Sequence, residues 1–308
     1  MSATIKLSSP ATREFWEIPV LYEDAHLLAI DKPAGLQVSP DPSQPDRPSL
    51  TRLLHDGIKR GAPWTLQAAR PCISSPANPA QGAPERLPAL GYLAPAHRLD
   101  AESSGVLLLA KSKPVLIALL NYFGIDRPGR RFVALVRGTP LEDRFQVELK
   151  MAPFRPPLGP SEPARPPGEN ASVPAPTRAL PLMRADSRRG KRSITLFEVR
   201  QKFARYTLVQ CEPLTDRPHQ IRVHLRSLRL SVLGDLLYGG RLLMLSTLKR
   251  DYHLKPNKTE RPLISQPALH AESISLPHPV TGEALTITAP WPKHLTVALK
   301  YLNRYAVQ

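Results

Sequence analysis

Two stretches of this 308-residue chain crowd ionisable side chains against apolar segments. In HRLDAESSGVLLLAKS, residues 97–112, His97, Arg98 and Asp100 surround one leucine, and a fully apolar run follows Gly105. A carboxylate just before a buried strand is partly desolvated, which raises its pKa unless a cation offsets the effect. Arg98 is not that cation by position alone, because adjacent residues of an extended segment point to opposite faces. Asp100 is therefore either the cap of a turn, through its side-chain oxygen, or an ionised group whose partner comes from elsewhere in the chain.

The second stretch is LTDRPHQIRVHL, residues 214–225, where Arg217, His219, Gln220, Arg222 and His224 gather at a strand-to-helix junction. Free backbone N–H groups and guanidinium forks at such a junction suit a phosphate or a carboxylate. The blander reading is a solvated basic face. His219 and His224 are five positions apart, a poor spacing for two ligands on one helix face, and no metal site is expected. A third stretch, LLAIDKPAGLQVSP at 27–40, reads as strand, tight turn and strand, with Lys32 able to reach a phosphate.

The elements that must position these residues read as mixed α and β. Apolar runs predict strands at 27–30, 105–110, 131–138, 194–200 and 204–212 and a β-rich segment at 268–289. Ser49 is placed to cap a helix running to about residue 59. Leu116, Leu119, Leu120 and Phe123 share one face of a helix over 114–123, and Ile221, Leu225 and Leu228 do so over 218–229. Two proline-rich segments, 62–96 and 153–181, have neither period and read as extended surface excursions.

The chain carries 42 Lys and Arg against 26 Asp and Glu, a formal net charge of +16. An excess of this size points to a polyanionic partner, most simply a nucleic acid. No apolar run is long enough to span a membrane, the first residues lack a secretory core, and the two cysteines form no metal or disulfide pattern. A cytoplasmic monomer is the expectation.

Taken together and in order, these stretches resemble the RluA-like RNA pseudouridine synthases. YEDAHLLAIDKPAGLQVSP, HRLDAESSGVLLLAKS, RRFVALVRG and LTDRPHQIRVHLRSLRLSVLGDLLYGG are similar to the family's successive motifs, and ALHAESISLPHPVTGEALTITAPWP to the end of its catalytic domain. The resemblance implies an α+β fold with a mixed, mostly antiparallel sheet flanked by helices. It implies a catalytic domain over 16–305, interrupted by the proline-rich segments, after a short extension at 1–15 and without a separate N-terminal RNA-binding domain. It implies isomerisation of uridine in ribosomal or transfer RNA, with no cofactor or metal.

The family's nucleophilic aspartate falls at Asp100 and its paired arginine at Arg222. Arg98 is then expected to support catalysis with Arg222 and Phe132, and His97, Lys32, Arg217, His219 and Gln220 are expected around the RNA. One departure concerns Phe132, which stands where the family has a tyrosine that stacks on the uracil and is assigned proton transfer at carbon 5. Phenylalanine can stack but carries no proton. A catalytically weakened RNA-binding member of the family is the alternative that this departure raises.

Overall fold

The computed structural model describes residues 3–41, 44–62, 90–125, 129–154, 182–249, 251–253 and 259–307. Most of both proline-rich segments, Cys72 included, lies outside the described residues. Twelve strands form one sheet: β1 (Thr4–Ser9), β2 (Glu14–Glu23), β3 (Leu27–Lys32), β4 (Ala94–Pro95), β5 (Ser104–Ala110), β6 (Gly129–Arg137), β7 (Arg144–Phe154), β8 (Leu182–Ala185), β9 (Lys191–Lys202), β10 (Tyr206–Pro213), β11 (Leu269–Pro277) and β12 (Ala284–Thr288). The helices among the described residues are α1 (Leu50–Lys59), α2 (Lys113–Ile125), α3 (Gln220–Ser227) and α4 (Lys293–Tyr305).

The sheet order is β1-β2-β3-β5-β11-β6-β10-β9-β7-β8, with β4 beside β5 and β12 beside β11. The β5–β11 pairing is parallel, and the remaining pairings are antiparallel. This is the α+β architecture that the motifs imply.

β5 shows why its sequence is apolar throughout. Alternate residues of a strand face opposite sides. Leu107 and Leu109 enter a large core that α1 and α4 close with Leu50, Leu54, Leu295 and Leu302. Val106, Leu108 and Ala110 enter a second core that α2 closes with Val115 and Leu119. A strand covered on both faces has no polar side.

Several sequence-based expectations change. Residues 4–9 of the N-terminal extension pair with β2, and Ile5 and Leu7 enter the main core. The proline-rich reading is too broad at its edges, since Leu90 and Leu93 are buried, Ala94 and Pro95 pair with β5, and Pro153 and Phe154 pair with β8. Ser49 stands at the N-cap of α1 but makes no side-chain cap bond. On α2 the buried residues are Val115 and Leu119, whereas Leu120 is exposed. α3 is shorter than 218–229 because His219 and Arg229 both take left-handed backbone.

Gly105, the second residue of β5, has φ +112° and faces Ala271 of β11, and a Cβ there would lie 2.2 Å from the Ala271 carbonyl oxygen. Backbone strain and the clash each cost on the order of 1–3 kcal/mol. Gly105→Ala should therefore lower the urea unfolding midpoint by the equivalent of about 2–5 kcal/mol. An unchanged midpoint would show that β5 and β11 are not seated this closely.

Candidate active site

Asp100 lies in the loop between β4 and β5. Its backbone carbonyl accepts the Ser103 N–H at 3.1 Å and so closes a turn. The side chain plays no part in that turn among the described residues; it faces Arg222 and is 14% exposed. The capping alternative is therefore not the one adopted.

The loop is fastened from below by Lys32. This residue is fully buried, and its Nζ donates to the carbonyls of Pro33 at 2.8 Å, Leu36 at 2.7 Å and Ala101 at 3.1 Å. The Gly35 N–H donates to the same Ala101 carbonyl at 2.8 Å. Burial pushes the lysine pKa down to about 7, opposed by the negative charges of Asp100 and Glu102. Three carbonyl acceptors match the three protons of an ammonium group. The DKPAG turn thus anchors the Asp100 loop, and Lys32 is not the exposed phosphate contact that its sequence position indicates.

Arg222, on α3, reaches the loop from the other side. Its Nε and Nη2 donate to Asp235 Oδ2 and Oδ1, each at 2.7 Å, and both side chains are 1% exposed. The remaining nitrogen, Nη1, lies 3.4 Å from Asp100 Oδ2 and 3.2 Å from Glu102 Oε2. Tyr238 lies beneath the guanidinium, 4.9 Å from ring centre to Cζ. Burial opposes the arginine's charge, but the hydrogen bonds and charge of Asp235, and then the charges of Asp100 and Glu102, hold its pKa above the ordinary value. The two-pronged partner of Arg222 is therefore Asp235, and Asp100 and Glu102 share the third nitrogen. Sequence reasoning missed both Asp235 and Glu102. The signal for Asp235 was a lone acid after Gly234 in the otherwise apolar SVLGDLLYGG.

Asp100 opens onto a cleft that Arg98, Ser103, Arg130, Phe132, Arg217 and His219 also line. Phe132 comes from β6, where it pairs with Cys211 and Ala271, and is 8% exposed. Arg98 is exposed, while Arg130 is tied to Asp216 at 3.4 Å. Arg217 donates to the Arg192 carbonyl at 3.3 Å. The cleft therefore joins the Asp100 carboxylate and the Phe132 ring to a border of arginines, one of them paired with Asp216.

Two expected residues serve elsewhere. Gln220 is buried: its Nε2 donates to the Ile194 carbonyl and Thr195 Oγ1, and its Oε1 accepts from Thr215 and Arg217. It lines the cleft wall as a clamp between β9 and α3, with its polar atoms already used. His97 does not line the cleft. Its Nε2 accepts the Leu108 N–H at 3.1 Å, its ring lies 5.6 Å from Phe123, and burial pushes its pKa down to about 4. A polar residue type alone does not say which way its side chain points.

The chain matches the family described as RNA pseudouridylate synthase over residues 26–227, and it belongs to that family, whose members are isomerases acting on uridine in RNA. It is 28% identical over 291 residues to the ribosomal large subunit pseudouridine synthase D of Xanthomonas campestris pv. campestris, a match covering 90% of this chain and 66% of that protein. Identity to the ribosomal large subunit pseudouridine synthase C of Escherichia coli strain K12 is 29% over 289 residues, 92% of this chain and 70% of that protein. The chain thus spans about two thirds of these relatives. The fold matches the human RNA pseudouridylate synthase domain containing 4 with a TM-score of 0.60 at 22% identity, covering 92% of each chain. These findings agree with the RluA-like motifs.

Two outcomes follow from this geometry. Lys32→Met should lower activity and stability yet leave the salt dependence of RNA affinity unchanged, since no phosphate contact is lost. A slope shallower by about 0.7 on a single strand would return Lys32 to the RNA surface. Asp235→Asn leaves a buried guanidinium short of its counter-charge, a loss of about 3–5 kcal/mol. Unfolding by urea should show that loss, and activity should fall although Asp235 does not line the cleft. Parental stability and rate together would remove Asp235 from the site's support.

Proposed function

We propose that this protein converts uridine to pseudouridine in large-subunit ribosomal RNA, with Asp100 as nucleophile. The observation that carries the reading is the carboxylate of Asp100 beside a buried, permanently charged Arg222 and opening onto a cleft lined by Phe132. The ribosomal target is taken from the names of the curated relatives.

The reaction needs a nucleotide turned out of its stack into a pocket. The cationic border of the cleft suits the phosphates on either side, and Phe132 offers a ring face to the base. A carboxylate attacks only when ionised, and the Arg222 guanidinium lies 3.4 Å from that of Asp100. Asp100 bonds to ribose carbon 1′ as the bond from carbon 1′ to uracil nitrogen 1 breaks, the base turns, and carbon 5 then displaces the carboxylate from carbon 1′. The proton leaves carbon 5, and nitrogen 1 gains one. No atom is added overall. Phe132 has no hydroxyl, so the carbon 5 proton passes to a group other than residue 132.

The test uses a large-subunit ribosomal RNA transcript tritiated at uridine carbon 5. Conversion releases that tritium to water. The purified protein should release it, and Asp100→Asn should release none while binding the transcript within about threefold of the parent, because the amide keeps the shape but is no nucleophile. Release by the Asn variant above a no-protein control would sink the assignment. Release by neither protein would place the target in another RNA or remove the activity.

A further inference from the structure

His219 stands directly before α3 with φ 54° and ψ 21°. Left-handed backbone at a residue other than glycine is uncommon, and the strain it stores clusters at functional positions. The conformation turns the imidazole toward Tyr238 rather than along the helix. His219 Nδ1 lies 2.7 Å from the Tyr238 hydroxyl oxygen, and the rings meet edge to face at 5.6 Å. Tyr238 is 2% exposed, and its oxygen also accepts the Met183 N–H at 2.9 Å. The same tyrosine ring carries the guanidinium of Arg222.

This arrangement fixes a proton. A buried hydroxyl needs an acceptor for its hydrogen. The Met183 N–H is a donor and cannot be that acceptor. Among the described residues His219 Nδ1 is the remaining partner, so the Tyr238 O–H donates to it. A neutral imidazole that accepts at Nδ1 carries its proton at Nε2. Burial holds the His219 pKa below its ordinary value, opposed by the charge of Asp100, which keeps the ring neutral near pH 7. His219 lines the cleft beside Asp100 and Phe132, and its Nε2 bonds to no described residue.

We infer that His219 presents a fixed Nε2–H donor to an oxygen acceptor of the substrate nucleotide, a uracil carbonyl, and that Tyr238 is the positioning residue that sets this tautomer. The inference rests on the proposed uridine chemistry at this cleft. It gives the pocket a polar contact to the base edge, which Phe132 as a stacking ring cannot supply. A uracil carbonyl accepts this bond, whereas an exocyclic amino group at the same place would leave the N–H facing a second donor.

The geometry separates two amide replacements. Glutamine puts its amide nitrogen near the place of Nε2, and asparagine near that of Nδ1. His219→Gln should therefore keep the donor toward the cleft, while His219→Asn should lose it, although asparagine tolerates left-handed backbone better. A neutral hydrogen bond contributes about 0.5–1.5 kcal/mol. Single-turnover tritium release from the carbon-5-labelled transcript, at subsaturating enzyme, should fall roughly three- to tenfold for His219→Ala and His219→Asn. His219→Gln should return to within about twofold of the parent. Tyr238→Phe should lose a similar factor, and the His219→Ala, Tyr238→Phe double variant should lose no more than either alone.

Full rescue by asparagine with none by glutamine would overturn the inference. Multiplying losses in the double variant would do the same. A group that acts as base must lose its lone pair in acid, whereas a donor keeps its N–H. The parent should therefore show no acid limb that His219→Gln removes, and such a limb would reassign His219 as a base. If the parent releases no tritium from any RNA while folded, the uridine chemistry itself fails. That outcome is distinct from a pattern of variants that fails on an active parent.

Discussion

The site depends on one buried guanidinium. Arg222 is held at two of its nitrogens by Asp235 and beneath its plane by Tyr238, which leaves a single edge to face the Asp100 loop. Burying a charge is costly unless it is paired and hydrogen-bonded. Asp235 supplies the pairing away from the cleft, so Arg222 reaches Asp100 already positioned. An arginine bound two-pronged to Asp100 would close off the carboxylate. The observed division of labour leaves Asp100 contacted through one nitrogen and open toward the cleft.

The second constraint is the loop itself. Lys32 and Gly35 both bond the Ala101 carbonyl, one residue beyond Asp100, and Gly105 lets the chain pass into β5 against the backbone of β11. Lys32 and Arg222 therefore hold the loop carrying Asp100 and Glu102 from two sides. None of these contacts requires the substrate. The carboxylate is preorganised, and binding energy from the cationic border can go to turning out the nucleotide.

Much of this was legible in the sequence, but unevenly. Asp100, Arg222 and Phe132 sit in motifs whose order fits one family; the structure places Asp100 and Phe132 in one cleft and Arg222 against Asp100. The apolar run after Gly105 announced a strand covered on both faces. Lys32, His97 and Gln220 were misread for a common reason. Charge and polarity in a motif show that a polar contact is made, not whether the partner is RNA or the protein's own backbone. Asp235 was in view but separated from Arg222 by a turn of helix and a loop, so its pairing appears only in three dimensions. The period-2 pattern of TIKLSS and the helical spacing of Leu295, Ala298, Leu299 and Leu302 were readable signals at the chain's two ends. They belong to sheet edge and core closure rather than to chemistry.

The most direct measurement is a nucleotide-resolution map of pseudouridine in the large-subunit ribosomal RNA of cells with and without this protein. The account predicts that at least one discrete uridine is modified when the protein is present and unmodified when it is absent, with modification restored by returning the gene. Identical maps in the two strains, with the protein expressed and folded in the first, would contradict it.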